Sequence, residues 1–170
     1  MSIPASSWRA ALRAIAEQTA AHGIALVVSG GAAFAIHGIA VPVHDLDLLT
    51  DRAGAYHFGE IFAAQAVQPV VYRTSEQYRS HFGRFEVQGV PVDVMAELEW
   101  CEQGRWQPIF AATRSEIELD GVLVTSAWPE EEFLAAIRRG RLARAAAVLP
   151  QLDQTRLLCL LRGKIKPGML

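Results

Sequence analysis

Two neighbouring stretches are the most informative about the fold, Val27-Val-Ser-Gly-Gly-Ala-Ala-Phe-Ala-Ile-His-Gly38 and His44-Asp-Leu-Asp-Leu-Leu49. The first stretch opens as a short apolar run, which is typical of a strand, and then passes through Ser29-Gly30-Gly31 into helix-forming residues. The second stretch is another short apolar run, and it carries Asp45 and Asp47. The order predicted here is strand, glycine turn, short helix and second strand.

The rest of the chain predicts a strand-rich middle between helical ends. Trp8, Leu12 and Ile15 recur at a near-helical spacing, which predicts an amphipathic first helix that ends near Gly23. We expect a helix over about residues 53–66, strands over 67–73, 81–88, 90–95, 117–119 and 122–124, and two or three short helices from Ser126 onward. At 170 residues the chain fits one compact domain, with a core over 1–125 and a helical extension over 126–170 packed on that same domain.

The net charge of −2 gives the chain no overall attraction for nucleic acid or anionic membranes. Any contact with a polyanion must therefore come from a local cluster of charges. The sequence holds no apolar run near the roughly 18 residues that span a bilayer, so we expect a cytoplasmic protein with no membrane partner. Cys101 and Cys159 lack paired spacing and are expected to be free thiols. Several tryptophans and an apolar composition make a homodimer a further expectation.

The two acids of the second strand are the best candidates for metal chemistry. Side chains alternate along a strand, so Asp45 and Asp47 share one face, roughly 6 to 7 Å apart, while Leu46 points into packing. Asp93 lies in a separate apolar run and can supply a third carboxylate from a neighbouring strand. Such a site suits Mg²⁺ or Mn²⁺, which accept few protein oxygens alongside substrate phosphates. The competing interpretation is an edge strand whose acids simply face water.

The glycine turn changes the balance between these two interpretations. Backbone N–H groups at Gly30 and Gly31 would point from a helix start toward an anion, and the lack of side chains permits close approach. Ser29 or Gly30 could then contact the terminal phosphates of a nucleotide. A glycine pair after a strand is a weak signal by itself, and it gains meaning from the acids that follow it.

The order of strand, Gly30-Gly31, short helix, Asp45-Leu46-Asp47 and the later Asp93 resembles the nucleotidyltransferase superfamily of the polymerase-β type. More narrowly it is similar to small bacterial members related to abortive-infection toxins and to antibiotic nucleotidyltransferases. The resemblance implies an α/β (α+β) fold with a mixed sheet of about four or five strands, flanked by helices and followed by a short C-terminal helical tail. It also implies a phosphate-loop role for the glycines, a metal pair in Asp45 and Asp47, and a third acid in Asp93.

The predicted activity is Mg²⁺-dependent transfer of a nucleoside monophosphate from a nucleoside triphosphate, such as ATP, to a hydroxyl group. The acceptor stays open between a small antibiotic-like molecule, a tRNA end and a protein side chain, and the preferred base is equally open. The alternative hypothesis is a catalytically inactive module with the same fold that binds or regulates a partner, for instance in a toxin–antitoxin pair. Val41 and Val43 favour this alternative because many such relatives carry Arg and Thr there.

The helical extension is rich in basic residues, which are Arg138, Arg139, Arg141, Arg144, Arg156, Arg162, Lys164 and Lys166. A clamp on a triphosphate or a contact with RNA would use such residues. A solvated helix face is the favoured interpretation, since exposed arginine on helices is ordinary and no interleaved aromatic residues indicate base stacking. His44 directly precedes the first acid, and we expect it to lie at the rim of the site.

Overall fold

The computed structural model describes residues 2–109 and 113–163. Over these residues the chain forms six α-helices and eight β-strands. In chain order they are α1 (Ala5–Ala21), β1 (Val27–Ser29), α2 (Gly30–Ile36), β2 (Leu46–Thr50), α3 (Arg52–Ile61), β3 (Ala66–Thr74), β4 (Tyr78–Val87), β5 (Val90–Glu102), β6 (Arg105–Pro108), β7 (Arg114–Leu119), β8 (Val122–Ala127), α4 (Pro129–Arg138), α5 (Leu142–Val148) and α6 (Gln154–Leu161).

One mixed sheet organises the described residues, with the strand order β3-β4-β5-β2-β1-β8-β7. The short strand β6 pairs with the far part of β5. At the centre, β2 runs parallel to β5 and antiparallel to β1, and β1 runs parallel to β8. The predicted α+β class with a mixed sheet flanked by helices is therefore confirmed.

The main core lies on the face of the sheet to which Leu46 and Leu48 point, and both leucines are completely buried. Helix α1 and helix α3 cover this face, since Leu12 and Phe58 pack into the same cluster. Burying a side chain of this size stabilises the fold by about 1.5–3 kcal/mol. Asp47 stands between the two leucines and so projects from the opposite face.

A second apolar cluster joins helix α2 to the C-terminal helices. Phe34 of α2 is almost fully buried against Phe133 of α4, Val148 of α5 and Leu157 of α6. This packing fixes the C-terminal helices beside the Gly30 turn from which α2 begins. Residues 164–170 of the predicted extension lie outside the described residues.

The predicted elements differ from the structure mainly at their ends. The helix expected over residues 53–66 ends at Ile61. Strand β5 continues to Glu102, well beyond the predicted end, because it gains β6 as a partner across a tight turn at Gly104. Both cysteines are free, as predicted. None of the helices in the described ranges has the length and apolar character that crossing a membrane requires.

Candidate active site

Parallel pairing of β2 with β5 brings the three predicted acids together. In the register of these strands Asp47 lies directly opposite Asp93, and Asp45 stands just before β2 begins. Each of the three side chains offers a carboxylate oxygen, and these oxygens all lie within 4.8 Å of one another. We call these residues the acidic triad. All the donors are carboxylate oxygens, a chemistry that suits a hard divalent cation.

The glycine turn closes one side of the acidic triad. Gly30 has φ +66°, and a Cβ placed on it would stand 2.1 Å from Asp47 Oδ2. No side chain fits at this position, because the carboxylate fills the space that it would need. A Cβ placed on Gly31 would stand 3.4 Å from the carbonyl oxygen of Pro42 and 4.0 Å from Arg144 Nη2. The turn thus lies against the acid on one side and near a basic residue on the other.

A fourth carboxylate, which the sequence analysis missed, reaches the triad from helix α4. Glu132 is buried, and its Oε1 accepts a hydrogen bond of 2.6 Å from the Ser29 hydroxyl. Ser29 lies opposite Asp47 in the antiparallel pairing of β1 with β2. In this structure the Ser29 hydroxyl therefore joins the strand to the C-terminal helices. The only signal in the sequence is the acidic first turn of the last helical region, which equally fits a solvent-facing helix start.

The electrostatics of Asp47 reflect this crowding of acids. Burial, followed by the nearby carboxylates of Asp45, Glu132 and Asp93, raises the pKa of Asp47 to about 7, and Arg139 partly opposes the shift. Like charges that close cannot all ionise cheaply without a compensating cation. The site thus has an excess of negative charge that a divalent cation would neutralise.

Asp93 already has a cationic partner, Arg84 of strand β4. The two residues are opposite each other across the antiparallel pairing of β4 with β5. Arg84 Nε donates to Asp93 Oδ1 and Arg84 Nη2 donates to Asp93 Oδ2, both at 2.7 Å. This bidentate geometry is the strong form of an arginine–carboxylate pair. The sequence analysis did not single out Arg84.

A cavity of about 250 Å³ opens beside the triad. Asp47 and Ser29 form part of its wall, and Arg139 and Arg141 form the part contributed by the C-terminal helices. Tyr78, Ser80 and several apolar side chains complete it. The apolar residues are Leu49, Phe82, Met95, Leu98 and Ile109. A second cavity of about 290 Å³ shares the walls of Ile109 and Arg139. Such a combination of apolar wall and a few polar groups is typical of small-molecule sites.

The tail arginines are therefore not all on a solvated face. Arg139 and Arg141 line the cavity and Arg144 lies near Gly31. Lys164 and Lys166 lie outside the described residues. Val41 and Val43, which replace the residues expected from the resemblance, pack into the second and the main apolar cluster respectively.

Solved structures similar to this chain include one assigned to the nucleotidyltransferases and an antibiotic-resistance factor. A Thermotoga maritima protein assigned to this class is 27% identical over 88% of this chain and 95% of its own, with a TM-score of 0.76. The antibiotic-resistance factor ANT(2'')-Ia is 15% identical over 91% of this chain and 89% of its own, with a TM-score of 0.57. The same factor in complex with adenylyl-2''-tobramycin is 14% identical over 90% and 94%, with a TM-score of 0.54. At these low identities the resistance factor shows the shared fold alone.

The family comparison is more decisive. The model of the aminoglycoside-2''-adenylyltransferase family matches residues 11–144, which include the glycine turn, the acidic triad and Glu132. A comparison with curated proteins gave no match. Because the family match spans most of the chain, the protein belongs to the aminoglycoside-2''-adenylyltransferase family and is a nucleotidyltransferase enzyme.

Proposed function

We propose that this enzyme transfers an adenylyl group from ATP, with Mg²⁺ bound, to a hydroxyl group of an amino-sugar acceptor. The observation that carries the proposal is the convergence of three carboxylate oxygens within 4.8 Å beside a turn with no side chain and an adjoining cavity. Family membership supports the choice of an adenylyl group and of an aminoglycoside-like acceptor. The geometry supports the metal and the phosphate chain.

Asp45, Asp47 and Asp93 would hold the cation. Their fit is supported by the raised pKa of Asp47, whose causes after burial are the neighbouring carboxylates. Mg²⁺ and Mn²⁺ take oxygen ligands, and in such a site the cation stabilises the charge that develops on the transferring phosphoryl group. Asp93 lies on the strand next to the other two acids, and we propose that its carboxylate accepts the proton of the attacking hydroxyl.

The nucleotide would occupy the cavity that Asp47, Arg139 and Arg141 line. Its apolar wall from the sheet suits a base and ribose, and the two guanidinium groups suit the β- and γ-phosphates. Because the Asp47 carboxylate fills the side-chain space of Gly30, the phosphates would approach the turn along the cavity wall that Ser29 and Asp47 form. Ser29, whose hydroxyl donates to Glu132, would contribute its backbone and its position rather than a bond from its side chain.

The acceptor would lie on the far side of the shared wall, in the second cavity. Glu102 and Glu131 line this cavity, and Glu131 also accepts bonds from Thr113. The same wall holds Arg138 and Arg139, so the carboxylates would contact the ammonium groups of an amino sugar one by one rather than through a net negative charge. The similar resistance factor was solved with adenylyl-2''-tobramycin, which agrees with this choice.

The test is an assay of pyrophosphate release with each nucleoside triphosphate, Mg²⁺ and a panel of aminoglycosides, followed by mass spectrometry of the acceptor. We expect ATP-dependent release and an acceptor heavier by one adenylyl group. Asp45→Asn should lose at least about a hundredfold in rate, the size expected when a charge-stabilising group is removed. Asp120→Asn, which alters an exposed acid paired with Arg9, is the matched control.

Several outcomes would redirect the proposal. Transfer to a tRNA end or a protein side chain, with no reaction on any aminoglycoside, would replace the acceptor and keep the chemistry. Absence of nucleotide binding, with a partner bound independently of nucleotide, would support the alternative of a catalytically inactive module. The toxin–antitoxin setting stays a prediction that this partner experiment addresses.

A further inference from the structure

The ion pair between Arg84 and Asp93 places a positive charge on the one triad member that lies on strand β5. Both oxygens of Asp93 accept bonds from the guanidinium, and the Asp93 side chain is only 11% exposed. The Arg84 side chain is 46% exposed. The acid is therefore held in place, whereas the arginine is partly exposed on a long, flexible side chain.

A guanidinium in this position competes with a divalent cation. Among the described residues, the triad and Glu132 bring their carboxylates together here, and the cations near them include Arg84, Arg139 and Arg141. A cation entering next to Asp93 meets a carboxylate whose charge is already compensated, and it is repelled by the guanidinium itself. The free enzyme thus provides its own partial substitute for a metal ion.

We propose that Arg84 is a positioning residue that withholds Asp93 from the cation until the nucleotide arrives. The inference rests on the proposed function, because it takes the triad as the cation site. When phosphates enter the cavity, they offer the guanidinium a second anionic partner, so Arg84 can leave Asp93 and the cation can take its place. Cation and nucleotide then bind together, each weakly without the other.

The surroundings of Arg84 show where its guanidinium would go. Its Cζ lies 5.7 Å from the centre of the Phe82 ring, and Phe82 is part of the cavity wall. A rotation of the exposed Arg84 side chain over this ring would move its guanidinium from Asp93 toward the phosphates. The Cζ of Arg73 also lies 5.9 Å from the centre of this ring, so two guanidinium groups already pack against Phe82.

The experiment measures Mn²⁺ binding by electron paramagnetic resonance, first alone and then with a non-hydrolysable ATP analogue. The variants are Arg84→Gln, which removes the charge, and Arg84→Lys, which keeps the charge and loses the bidentate bond. Arg79→Gln is the matched control, because Arg79 makes the same kind of pair with Glu99 on the same two strands.

We expect Arg84→Gln to bind Mn²⁺ alone at least tenfold more tightly than the unaltered enzyme. The factor by which the analogue strengthens Mn²⁺ binding should be correspondingly smaller in Arg84→Gln. The Mn²⁺ affinity of Arg84→Lys should lie between those of Arg84→Gln and the unaltered enzyme. The Mn²⁺ affinity of Arg79→Gln should equal that of the unaltered enzyme. Tighter binding is not a result that partial unfolding produces. Thermal melting of each variant checks the fold independently.

Equal or weaker Mn²⁺ binding by Arg84→Gln would overturn the proposal. If the unaltered enzyme still binds Mn²⁺ with the analogue and still turns over, the proposed function stands and only the role of Arg84 fails. If the unaltered enzyme binds no Mn²⁺ even with the analogue, the cation site itself is wrong and both proposals fall.

Discussion

Replacing Asp47 with Asn should stabilise the metal-free protein at neutral and alkaline pH. The folded protein holds the Asp47 carboxyl with a pKa of about 7, against an ordinary value of 3.8. The unfolded chain therefore releases this proton from about pH 4, while the folded chain keeps it until about pH 7. Between these values the folded state binds more protons than the unfolded state, so stability falls as the pH rises.

The magnitude follows from the difference between the two pKa values. Each pKa unit corresponds to about 1.4 kcal/mol, so the ionised Asp47 costs the folded state about 4 kcal/mol once the pH is above 7. Part of the cost is already present at pH 5, and about 3 kcal/mol should accumulate between pH 5 and pH 8. Asn carries no charge, so the free energy of unfolding of the variant does not fall for this reason as the pH rises.

Urea unfolding followed by tryptophan fluorescence, in chelator and at several pH values, measures the effect. The difference in free energy of unfolding, Asp47→Asn minus the unaltered protein, should increase as the pH rises from 5 to 8. A constant cost of burying the amide cancels from this comparison. Asp120→Asn should give a flat difference over the same range, because its bond with Arg9 lowers the pKa of Asp120. A difference for Asp47→Asn that does not change with pH would refute the reasoning.

The remaining predictions concern the turn, the link to the last helices and the cavity. Gly30→Ala should lose at least about 2 kcal/mol more stability than Gly89→Ala in thermal melts, because both positions have positive φ and a Cβ meets a carboxylate only at the first. Ser29→Ala should cost about 1–3 kcal/mol in urea unfolding by leaving a buried oxygen of Glu132 without its hydrogen bond. Arg139→Gln should raise the KM for ATP roughly tenfold in steady-state assays and leave the melting temperature unchanged, since one phosphate contact is lost at a partly buried residue.

Local sequence patterns predict the part of the site that lies within one strand and one turn. Alternation along β2 places Asp47 opposite to the buried Leu46 and Leu48, and the structure agrees. The position of Gly30 after an apolar run likewise indicates a turn that excludes a side chain. These features depend on neighbouring residues, so the sequence carries them directly.

The partners of those residues depend on distant parts of the chain. Glu132 meets Ser29 across 103 residues, and the contact follows from the packing of α4 on α2 rather than from any motif. Arg84 meets Asp93 because of the register of one antiparallel pairing, and a slip by one residue would send the arginine to the other face. Register and helix packing are set by the whole core, which explains why these residues were not foreseen.

A crystal structure with Mn²⁺ and a non-hydrolysable ATP analogue would show whether the acidic triad binds the cation next to the nucleotide. Anomalous scattering locates the manganese without assumptions about its ligands. We expect a peak bound by carboxylate oxygens of Asp45, Asp47 and Asp93, with the phosphates of the analogue near the Gly30 turn. Arg84 should no longer be bonded to Asp93. A peak elsewhere, or phosphates bound away from the glycine turn, would contradict it.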